Sequence, residues 1–429
     1  MTTHALGAGP DGAHFDDREG RDPQQREADL LSRLPAQIAR AKEAAGFATL
    51  LADVDPRAIA SRAALAQLPV TRKSDLKAMQ DARPPWGGLA ATDTAHLSRL
   101  FMSPGPTFDP EGRGDDWWRF ARPMWSAGVR PGDIVHNAFS YHFTPAAFMV
   151  EGGARRIGCP VIPAGVGNTD LQLQAIAALQ PSMYAGTPSF LKLILEKALE
   201  AGADTSSFRR ALVSAEPLPP SLRAWLVERG VSVVLQLYGT ADLGCVAYET
   251  RSDGVVHPGF VVDEEVLVEI VRPGTGTPVA DGEVGEIVVT SFNHDYPLVR
   301  FGTGDLSAVL AGASPCGRTN LRIKGWMGRA DQTTKVRGMF VHPAQIAEIL
   351  KRHPEIAKAR MVVSGMTGDD RMTLLCEAHD DAGGPTDARD AAIVETIRDV
   401  TRLRGAVSFG TAGTLANDGK VIEDIRKHE

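Results

Sequence analysis

The chain has 429 residues, of which 43% are hydrophobic and 23% charged, a composition typical of globular proteins that excludes a wholly disordered chain. Its length predicts about two to three domains. The 46 basic and 53 acidic residues give a formal net charge of −7 without a basic block, which argues against binding nucleic acid or an anionic membrane through charge.

The first predicted elements are a lead-in and a long helix. Residues 1–25 are rich in Gly, Asp, Arg and Pro, which predicts a flexible segment. Residues 7–12 match the glycine spacing of a dinucleotide-binding turn, but no strand precedes them, so that interpretation is not favoured. Residues 25–46 predict a helix that breaks or restarts near Pro35.

Strands and helices then alternate. Strands are predicted over 133–139, 159–165, 182–186, 211–217 and 231–239, and helices over 145–158, 170–181, 188–202 and 221–230. This order predicts an α/β fold, in which helices cover a mostly parallel sheet. Residues 257–292 read instead as antiparallel strands with Gly and Pro turns, a β-rich part of the same domain.

The last part of the chain has a different pattern. Helices are predicted over 343–353 and 386–405, with strands over 359–365 and 371–379 between them. The predicted organisation is therefore a lead-in over 1–25, a large domain over 26–330 and a small α+β domain over 331–429.

Two predicted turns carry carboxylates at the ends of strands. Residues 235–244 read as an apolar strand that ends in Tyr238 and Gly239 and continues into a polar turn with Asp242. An acidic group beyond the carboxyl end of a strand can hold Mg²⁺ through oxygen. Asp305 lies at another turn, and a carboxylate can accept from both hydroxyls of a ribose. Taken singly, each segment is also typical of an ordinary strand and turn.

Two later segments carry a candidate hinge and a cation. Arg329 and Asp331 lie in a glycine-punctuated stretch where the β pattern gives way to the final domain, as in a hinge. Lys420 follows a glycine in a turn near the end of the sequence, where a lysine can reach a phosphate as a point charge. Taken alone, the first feature is typical of an ordinary linker, and a solvated surface lysine is favoured for the second.

The order and spacing of the four segments resemble the adenylate-forming enzymes, and most closely the phenylacetate–coenzyme A ligase family, from about residue 70 to the end. The stretches YGTADLG, FGTGDL, GRADQTTKVRG and GTLANDGK carry the resemblance. It implies the adenylate-forming fold, with a large N-terminal α/β domain and a small α+β C-terminal lid. It also implies ATP-dependent activation of a phenylacetate-like aromatic acid through an acyl-adenylate, followed by thioester formation with CoA.

The resemblance implies a role for each of these residues. Asp305 would bind the ribose hydroxyls, and Arg329 would contact the ribose or a phosphate. Asp331 would be the hinge between the two half-reactions, and Lys420 would bridge the acyl carboxylate and the phosphate. Asp242 takes the position of the family's glutamate at the Mg²⁺ site.

The resemblance also implies a nucleotide site and an acid pocket. The other nucleotide-binding candidates lie in the phosphate loop, beside the adenine and after the YG pair: Ser103, Gly105, Thr107, Ser214, Ala215, Glu216, Pro217, Tyr238, Gly239 and Thr240. Tyr141, His142 and Phe143 border the implied acyl pocket, whose aromatic character suits a flat aromatic acid.

Several positions depart from the family pattern. Pro104 and Pro106 remove two N–H donors from the phosphate loop. Ala241 stands where a Ser or Thr is usual, and Gly302 where an arginine is common. Two alternatives therefore stay open: transfer of the adenylate to a carrier-protein thiol or another acceptor, and a degenerate protein that binds a nucleotide or acyl-CoA without adenylation.

Zinc is not expected, although some relatives carry a zinc-binding set of Cys and His. Here Thr250 replaces the first Cys, His257 is kept, and Ser314 and Cys316 occupy the positions of a Cys pair, which leaves too few ligands to close a tetrahedral site.

The compartment is predicted from cysteine usage and the absence of apolar runs. The four cysteines are scattered, no window has the apolar length of a membrane span, and the first residues lack an apolar leader. We expect a cytoplasmic protein that acts on a carboxylic acid, ATP and CoA, binds neither membrane nor nucleic acid, and forms a homodimer as relatives usually do.

Overall fold

The computed structural model describes residues 6–7, 12–103, 107–336, 339–365, 370–379, 387–416 and 420–426. Its helices are α1 (Pro23–Ala41), α2 (Ala45–Leu50), α3 (Arg62–Leu65), α4 (Leu76–Ala82), α5 (Ala121–Ser126), α6 (Ala146–Ile157), α7 (Thr169–Leu179), α8 (Pro188–Ala201), α9 (Pro220–Glu228), α10 (Pro343–Arg352) and α11 (Asp387–Thr401). Short 3₁₀ turns lie at Asp17–Gly20, Pro56–Ala58, Lys73–Asp75, Thr94–His96 and Ala330–Gln332.

The earlier strands lie before residue 250: β1 (Thr71–Arg72), β2 (Arg99–Ser103), β3 (Thr107–Glu111), β4 (Val135–Asn137), β5 (Val161–Pro163), β6 (Met183–Gly186), β7 (Arg210–Val213), β8 (Val233–Thr240) and β9 (Gly244–Tyr248). The later strands are β10 (Arg251–Ser252), β11 (Val255–Val256), β12 (Phe260–Val262), β13 (Val266–Val271), β14 (Gly285–Ser291), β15 (Phe301–Ser307), β16 (Arg322–Ile323), β17 (Thr334–Val336), β18 (Met339–Val341), β19 (Ile356–Ser364), β20 (Arg371–Ala378), β21 (Ala406–Gly410) and β22 (Ile422–Asp424).

The chain forms two compact units. The first comprises Met1–Thr303 and Ser307–Trp326, and the second comprises Gly304–Leu306 and Met327–Glu429. Within the described residues, no helix combines the length and the apolar character that crossing a bilayer requires.

An eight-stranded sheet with the order β16-β12-β9-β8-β7-β6-β4-β5 lies in the first unit. From β5 to β8 all neighbours are parallel, and helices α6 to α9 connect them in sequence. The central strands are short apolar runs that are almost wholly buried, as expected when helices cover both faces of a sheet. This confirms the α/β fold predicted from the alternating pattern.

Local sequence signals set the ends of the connecting helices. In α8, the Thr187 hydroxyl accepts a hydrogen bond from the Phe190 N–H at 3.3 Å, and Pro188 occupies the first turn, where its missing N–H has no cost. The helix ends at Gly202, which adopts the left-handed conformation with φ +63°.

A second sheet in the order β1-β15-β14-β13 supplies the β-rich part. Strands β13 and β14 pair antiparallel from Val266 opposite Ser291 to Val271 opposite Glu286, as the Gly and Pro turns of this region predict. In the second unit, β21-β20-β19-β22 form a four-stranded sheet. Helices α10 and α11 add Ile346, Ile349, Ile393 and Ile397 to the separate core of that unit.

The predicted break of the first helix at Pro35 is wrong, because α1 runs through it. The proline removes one backbone hydrogen bond, which costs about 3 kcal/mol in a helix interior. Leu30, Leu34, Ile38 and Ala41 are at most 2% exposed and share the inner face of the helix. Each fully buried large aliphatic side chain contributes about 1.5–3 kcal/mol, so burial outweighs the lost bond.

Part of the predicted flexible lead-in is packed. His14, Phe15, Asp16 and Glu19 are all buried, and the Glu19 carboxylate pairs with Arg318. Composition alone could not show this, because the groups that fix the segment lie about 300 residues later in the sequence.

Candidate active site

The turns after β7 and β8 carry the residues predicted to line the adenine. The Ser214 hydroxyl donates to the Leu237 carbonyl at 3.0 Å, which ties the carboxyl ends of the two strands together. Ala215 adopts a left-handed conformation with φ +68°, and it is exposed together with Glu216 and Pro217. Exposed groups beyond the carboxyl ends of parallel strands form the usual ligand-binding edge of such a sheet.

The end of β8 is shaped by close contacts. The Tyr238 hydroxyl donates to the Thr303 hydroxyl at 3.1 Å, and Thr303 donates to the Ile287 carbonyl at 3.0 Å. A Cβ on Gly239 would lie 2.4 Å from the Gly244 carbonyl oxygen, so only glycine fits there. The Thr240 hydroxyl accepts from the Leu243 N–H at 3.2 Å and closes the turn that carries Asp242.

Asp242 and Asp109 form a buried pair of carboxyl groups, which we call the acid pair. Asp242 Oδ2 lies 2.5 Å from Lys73 Nζ, and the Asp242 side chain is 0% exposed. Its Oδ1 and both oxygens of Asp109 make no hydrogen bond within the described part of the chain. The pKa of Asp109 is raised to about 8, mainly by burial and secondly by the negative charge of Asp242.

The hydroxyl of Tyr296 is buried within electrostatic range of the same two carboxyl groups. Tyr296 is 1% exposed, and its hydroxyl has no hydrogen-bond partner among the described residues. Burial raises the pKa of Tyr296 well above its ordinary value, and the charges of Asp242 and Asp109 raise it further. Sequence reasoning found Asp242 but missed Asp109, Lys73 and Tyr296; the only signal for Asp109 was its place two residues after Thr107.

The ends of β2 and β3 flank the predicted phosphate loop. Ser103 Oγ and Thr107 Oγ1 lie 3.0 Å apart, and the two residues are 8% and 7% exposed. The hydroxyls predicted to meet phosphate are thus bonded to each other in this conformation. Gly105, together with Pro104 and Pro106, lies outside the described residues.

Within the second unit, Asp305 and Arg329 are joined. Arg329 Nη1 lies 3.2 Å from Asp305 Oδ1, and the two residues form an isolated backbone bridge. Arg329 Nε also lies 3.3 Å from Asp331 Oδ1. Burial alone would lower the pKa of Arg329, but Asp305 and Asp331 raise it above its ordinary value. Three residues predicted from two separate motifs therefore form one charged group.

Lys420 is exposed and lies two residues before β22. The next residue, Val421, donates its N–H to Gln332 Oε1 at 2.9 Å, which connects the terminal segment to the turn that holds Asp331. The candidate hinge and the candidate catalytic lysine are thus linked within the second unit.

The three predicted pocket residues differ in environment. The Tyr141 hydroxyl donates to Glu151 Oε1 and accepts from Asn137 Nδ2, both at 2.9 Å. The pKa of Tyr141 is raised, mainly by burial and secondly by the negative charge of Glu151. His142 is exposed, and Phe143 is 71% exposed with φ +61°. In this conformation the Tyr141 ring packs inward and the Phe143 ring faces solvent.

Gly302, where relatives commonly have an arginine, has no room for one. A Cβ there would lie 2.8 Å from Glu286 Oε1 and 2.9 Å from Val70 Cγ1. Arg72 pairs with Gly302 across β1 and β15, and its guanidinium forms an ion pair with Glu286. The guanidinium of Arg72 therefore reaches this position from the neighbouring strand, in place of an arginine at residue 302. This arrangement was not predicted from the sequence.

Hydroxyl and thiol groups occupy the positions that correspond to the relatives' zinc ligands. Ser314 Oγ lies 3.0 Å from Cys316 Sγ and 3.5 Å from Thr250 Oγ1, while His257 Nε2 bonds the Ser252 hydroxyl at 2.8 Å. Among the residues that the structure describes, no group of three or more His, Cys, Asp or Glu side chains is arranged to hold a metal ion.

Comparisons with known proteins agree with this geometry. The profile described as "AMP-binding enzyme" matches residues 117–293. A phenylacetate-coenzyme A ligase of Thermus thermophilus is 30% identical over 77% of this chain and 76% of its own length. The enzyme of the same name from Escherichia coli is 29% identical, with 83% and 82% covered.

Solved structures share the fold. The open conformation of 2-hydroxyisobutyryl-CoA ligase, in complex with 2-HIB-AMP and CoA, matches with a TM-score of 0.85 and 23% identity. The match covers 98% of this chain and 97% of that one. At this identity the likeness concerns the fold, and it extends over nearly the whole of both chains.

Proposed function

This chain belongs to the phenylacetate–coenzyme A ligase family of AMP-binding enzymes, and from this membership we propose that it activates an aromatic, phenylacetate-like acid. As an AMP-forming acid–CoA ligase, it uses ATP to form an acyl-adenylate and CoA to form the thioester. The choice of an aromatic acid is carried by one observation: four relatives with 29% to 32% identity bear the name phenylacetate-coenzyme A ligase.

The reaction needs charge neutralisation and a good leaving group. A carboxylate is a poor electrophile, so its oxygen attacks the α-phosphorus of ATP and pyrophosphate leaves. The thiol of CoA then attacks the acyl carbon, and AMP leaves. Both steps place negative charge on phosphate oxygens, which fixed donors and cations stabilise.

Four residues of the second unit have proposed roles in these steps. Asp305 accepts hydrogen bonds from the ribose hydroxyls, and its contact with Arg329 at 3.2 Å supports a shared role for the two side chains at the sugar or phosphate. Lys420 neutralises charge between the acyl carboxylate and the α-phosphate. Asp331 is the hinge residue, which agrees with its place in a short 3₁₀ turn.

The remaining candidates belong to the first unit. Ser214, Ala215, Glu216 and Pro217 are proposed to border the adenine, and the exposed edge they form supports this. The YG segment, with Tyr238, Gly239 and Thr240, would hold the turn beside the phosphates. Ser103, Gly105 and Thr107 would bind phosphate, which requires the hydroxyls of Ser103 and Thr107 to separate. For the acid pocket, the proposed residues are Tyr141, His142 and Phe143.

Asp242 is the proposed Mg²⁺ ligand. The residue fits this role because its Oδ1 is buried and unpartnered among the described residues, and because Mg²⁺ accepts carboxylate oxygen readily. A bound Mg²⁺ would neutralise phosphate charge. The chain's own contribution is to hold the Asp242 carboxylate in place through Lys73.

The direct test incubates the purified full chain with ATP, Mg²⁺, CoA and single acids, and measures pyrophosphate release and the thioester by mass spectrometry. Phenylacetate and other aryl acids should give acid-dependent release, with aliphatic 2-hydroxy acids much slower. Preference for an aliphatic acid would overturn the aromatic proposal, and release with a carrier protein but not with CoA would change the acceptor. Saturable ATP binding without release would instead identify a degenerate protein.

We further propose a homodimer, which light scattering of the purified chain would test; a monomer at micromolar concentration would contradict it. Residence in the cytoplasm stays a prediction from the sequence.

A further inference from the structure

Among the described residues, no donor lies in hydrogen-bonding geometry to three oxygen atoms of the acid pair. Asp109 is 0% exposed, and within the described residues its Oδ1 and Oδ2 and the Oδ1 of Asp242 make no hydrogen bond. A buried carboxylate oxygen in this state is costly unless a proton or a cation satisfies it. The acid pair is therefore incomplete as a set of protein contacts.

Lys73 compensates only part of the negative charge. Its ammonium contacts Oδ2 of Asp242 at 2.5 Å, so ionisation of Asp109 beside that ion pair would leave one negative charge over. A polyphosphate brought to the same place would add further negative charge. Binding both therefore requires an additional cation.

Tyr296 is an independent sign of a missing polar ligand. Its hydroxyl is buried and unpartnered within the described part of the chain, and it lies close enough to the acid pair for both carboxylates to act on it. A phenol hydroxyl can donate to or accept from a water molecule. Mg²⁺ retains several waters when it binds, so a buried hydroxyl within electrostatic range of the carboxylates is compatible with its hydration shell.

The acid pair joins the two segments that are proposed to face phosphate. Asp109 lies on β3 opposite Phe101, two residues after Thr107 of the phosphate loop, and Asp242 lies in the turn after β8. Asp242 is one methylene shorter than the glutamate usual at its position. A second carboxylate from β3 would add oxygen ligands next to the shorter side chain.

From these observations we propose that Asp109 and Asp242 together hold the divalent cation that accompanies ATP, with Asp109 as a second carboxylate ligand. The inference rests on the proposed function and deepens it. Two carboxylates are sufficient, because Mg²⁺ at nucleotide sites is held by one or two of them together with phosphate and water.

The test measures Mn²⁺ binding to the nucleotide-free full chain by electron paramagnetic resonance. The wild type should bind Mn²⁺, and Asp109→Asn should weaken that binding at least about tenfold. Glu111→Gln is the matched control, because it removes a carboxylate from the same strand that is already paired with Arg99 at 3.0 Å. It should bind Mn²⁺ as the wild type does.

Equal Mn²⁺ affinity in Asp109→Asn and the wild type would overturn the inference, and so would a wild type that binds no Mn²⁺ at millimolar concentration. Thermal unfolding gives a second readout: Mn²⁺ should raise the midpoint of the wild type and leave that of Asp109→Asn nearly unchanged. If Asp109→Asn does not fold, Asp109→Ser replaces it in both measurements.

Acid-dependent pyrophosphate release by the wild type separates the two proposals. An active wild type with unchanged Mn²⁺ binding in Asp109→Asn refutes only the metal ligand. Loss of Mn²⁺ binding in that variant, with no acid activated by the wild type, refutes only the proposed function.

Discussion

Replacing Glu19 with Gln should destabilise the first unit strongly, although the residue lies in a segment whose composition suggests flexibility. Glu19 Oε1 accepts from Arg318 Nε and from the Tyr248 hydroxyl, both at 2.5 Å. The side chains of Arg318 and Glu19 are 2% and 1% exposed. Loss of one partner of a buried ion pair costs about 3–5 kcal/mol, because the other charge stays buried without compensation.

The same pair predicts a pH dependence. Burial alone would raise the pKa of Glu19, but Arg318 and Arg122 hold it below the ordinary value of 4.5. Because the pKa of Glu19 is lower in the folded state than in the unfolded state, its carboxylate stabilises the fold at any pH above the unfolded-state pKa. This contribution is lost as the pH falls through the folded-state pKa. Glu19→Gln should therefore be destabilised near neutral pH and lose less stability than the wild type on acidification.

Urea unfolding followed by tryptophan fluorescence is a suitable assay, because all 6 tryptophans of the sequence lie in the first unit. Glu27→Gln is the matched control: its ion pair with Arg62 is about 40% exposed and should contribute only about 0–1 kcal/mol. If Glu19→Gln were no more destabilising than Glu27→Gln, the anchoring of the first residues would be refuted.

Three further predictions concern the active site. Lys420→Ala should slow adenylation about 10²–10³-fold and spare thioester formation from supplied acyl-adenylate, which two half-reaction assays check; equal losses would remove its role. Asp305→Asn should raise the KM for ATP about tenfold or more with little change for the acid, and an unchanged KM would contradict ribose binding. Gly239→Ala should lower the thermal midpoint, because its Cβ meets the Gly244 carbonyl at 2.4 Å; an unchanged midpoint would show that the turn can shift.

The large domain was predictable because its signal is local and periodic. Alternating short apolar runs and amphipathic helices identified the parallel strands β4 to β8 and the helices between them. The break at Pro35 was mispredicted because the local cost of a proline is visible in the sequence, whereas the burial that outweighs it depends on the rest of the fold. The packing of Glu19 escaped prediction for the same reason.

The candidate site was predictable only where a motif marks it. Asp242, Asp305, Arg329 and Lys420 stand in recognisable segments, so the resemblance supplied them. Asp109 has no such marker: its burial and its unpartnered oxygens become apparent only when β3 and the turn after β8 are placed together. Arg72 likewise reaches the neighbourhood of Gly302 through strand pairing, not through sequence order.

The formation of an acyl-adenylate is tested most directly by isotope transfer. The enzyme is given phenylacetate labelled with ¹⁸O in its carboxylate, together with ATP, Mg²⁺ and CoA, and the products are analysed by mass spectrometry. Attack of the carboxylate on the α-phosphorus predicts one ¹⁸O in AMP for each thioester formed and none in pyrophosphate. Label in inorganic phosphate with formation of ADP, or thioester without label in AMP, would contradict the account.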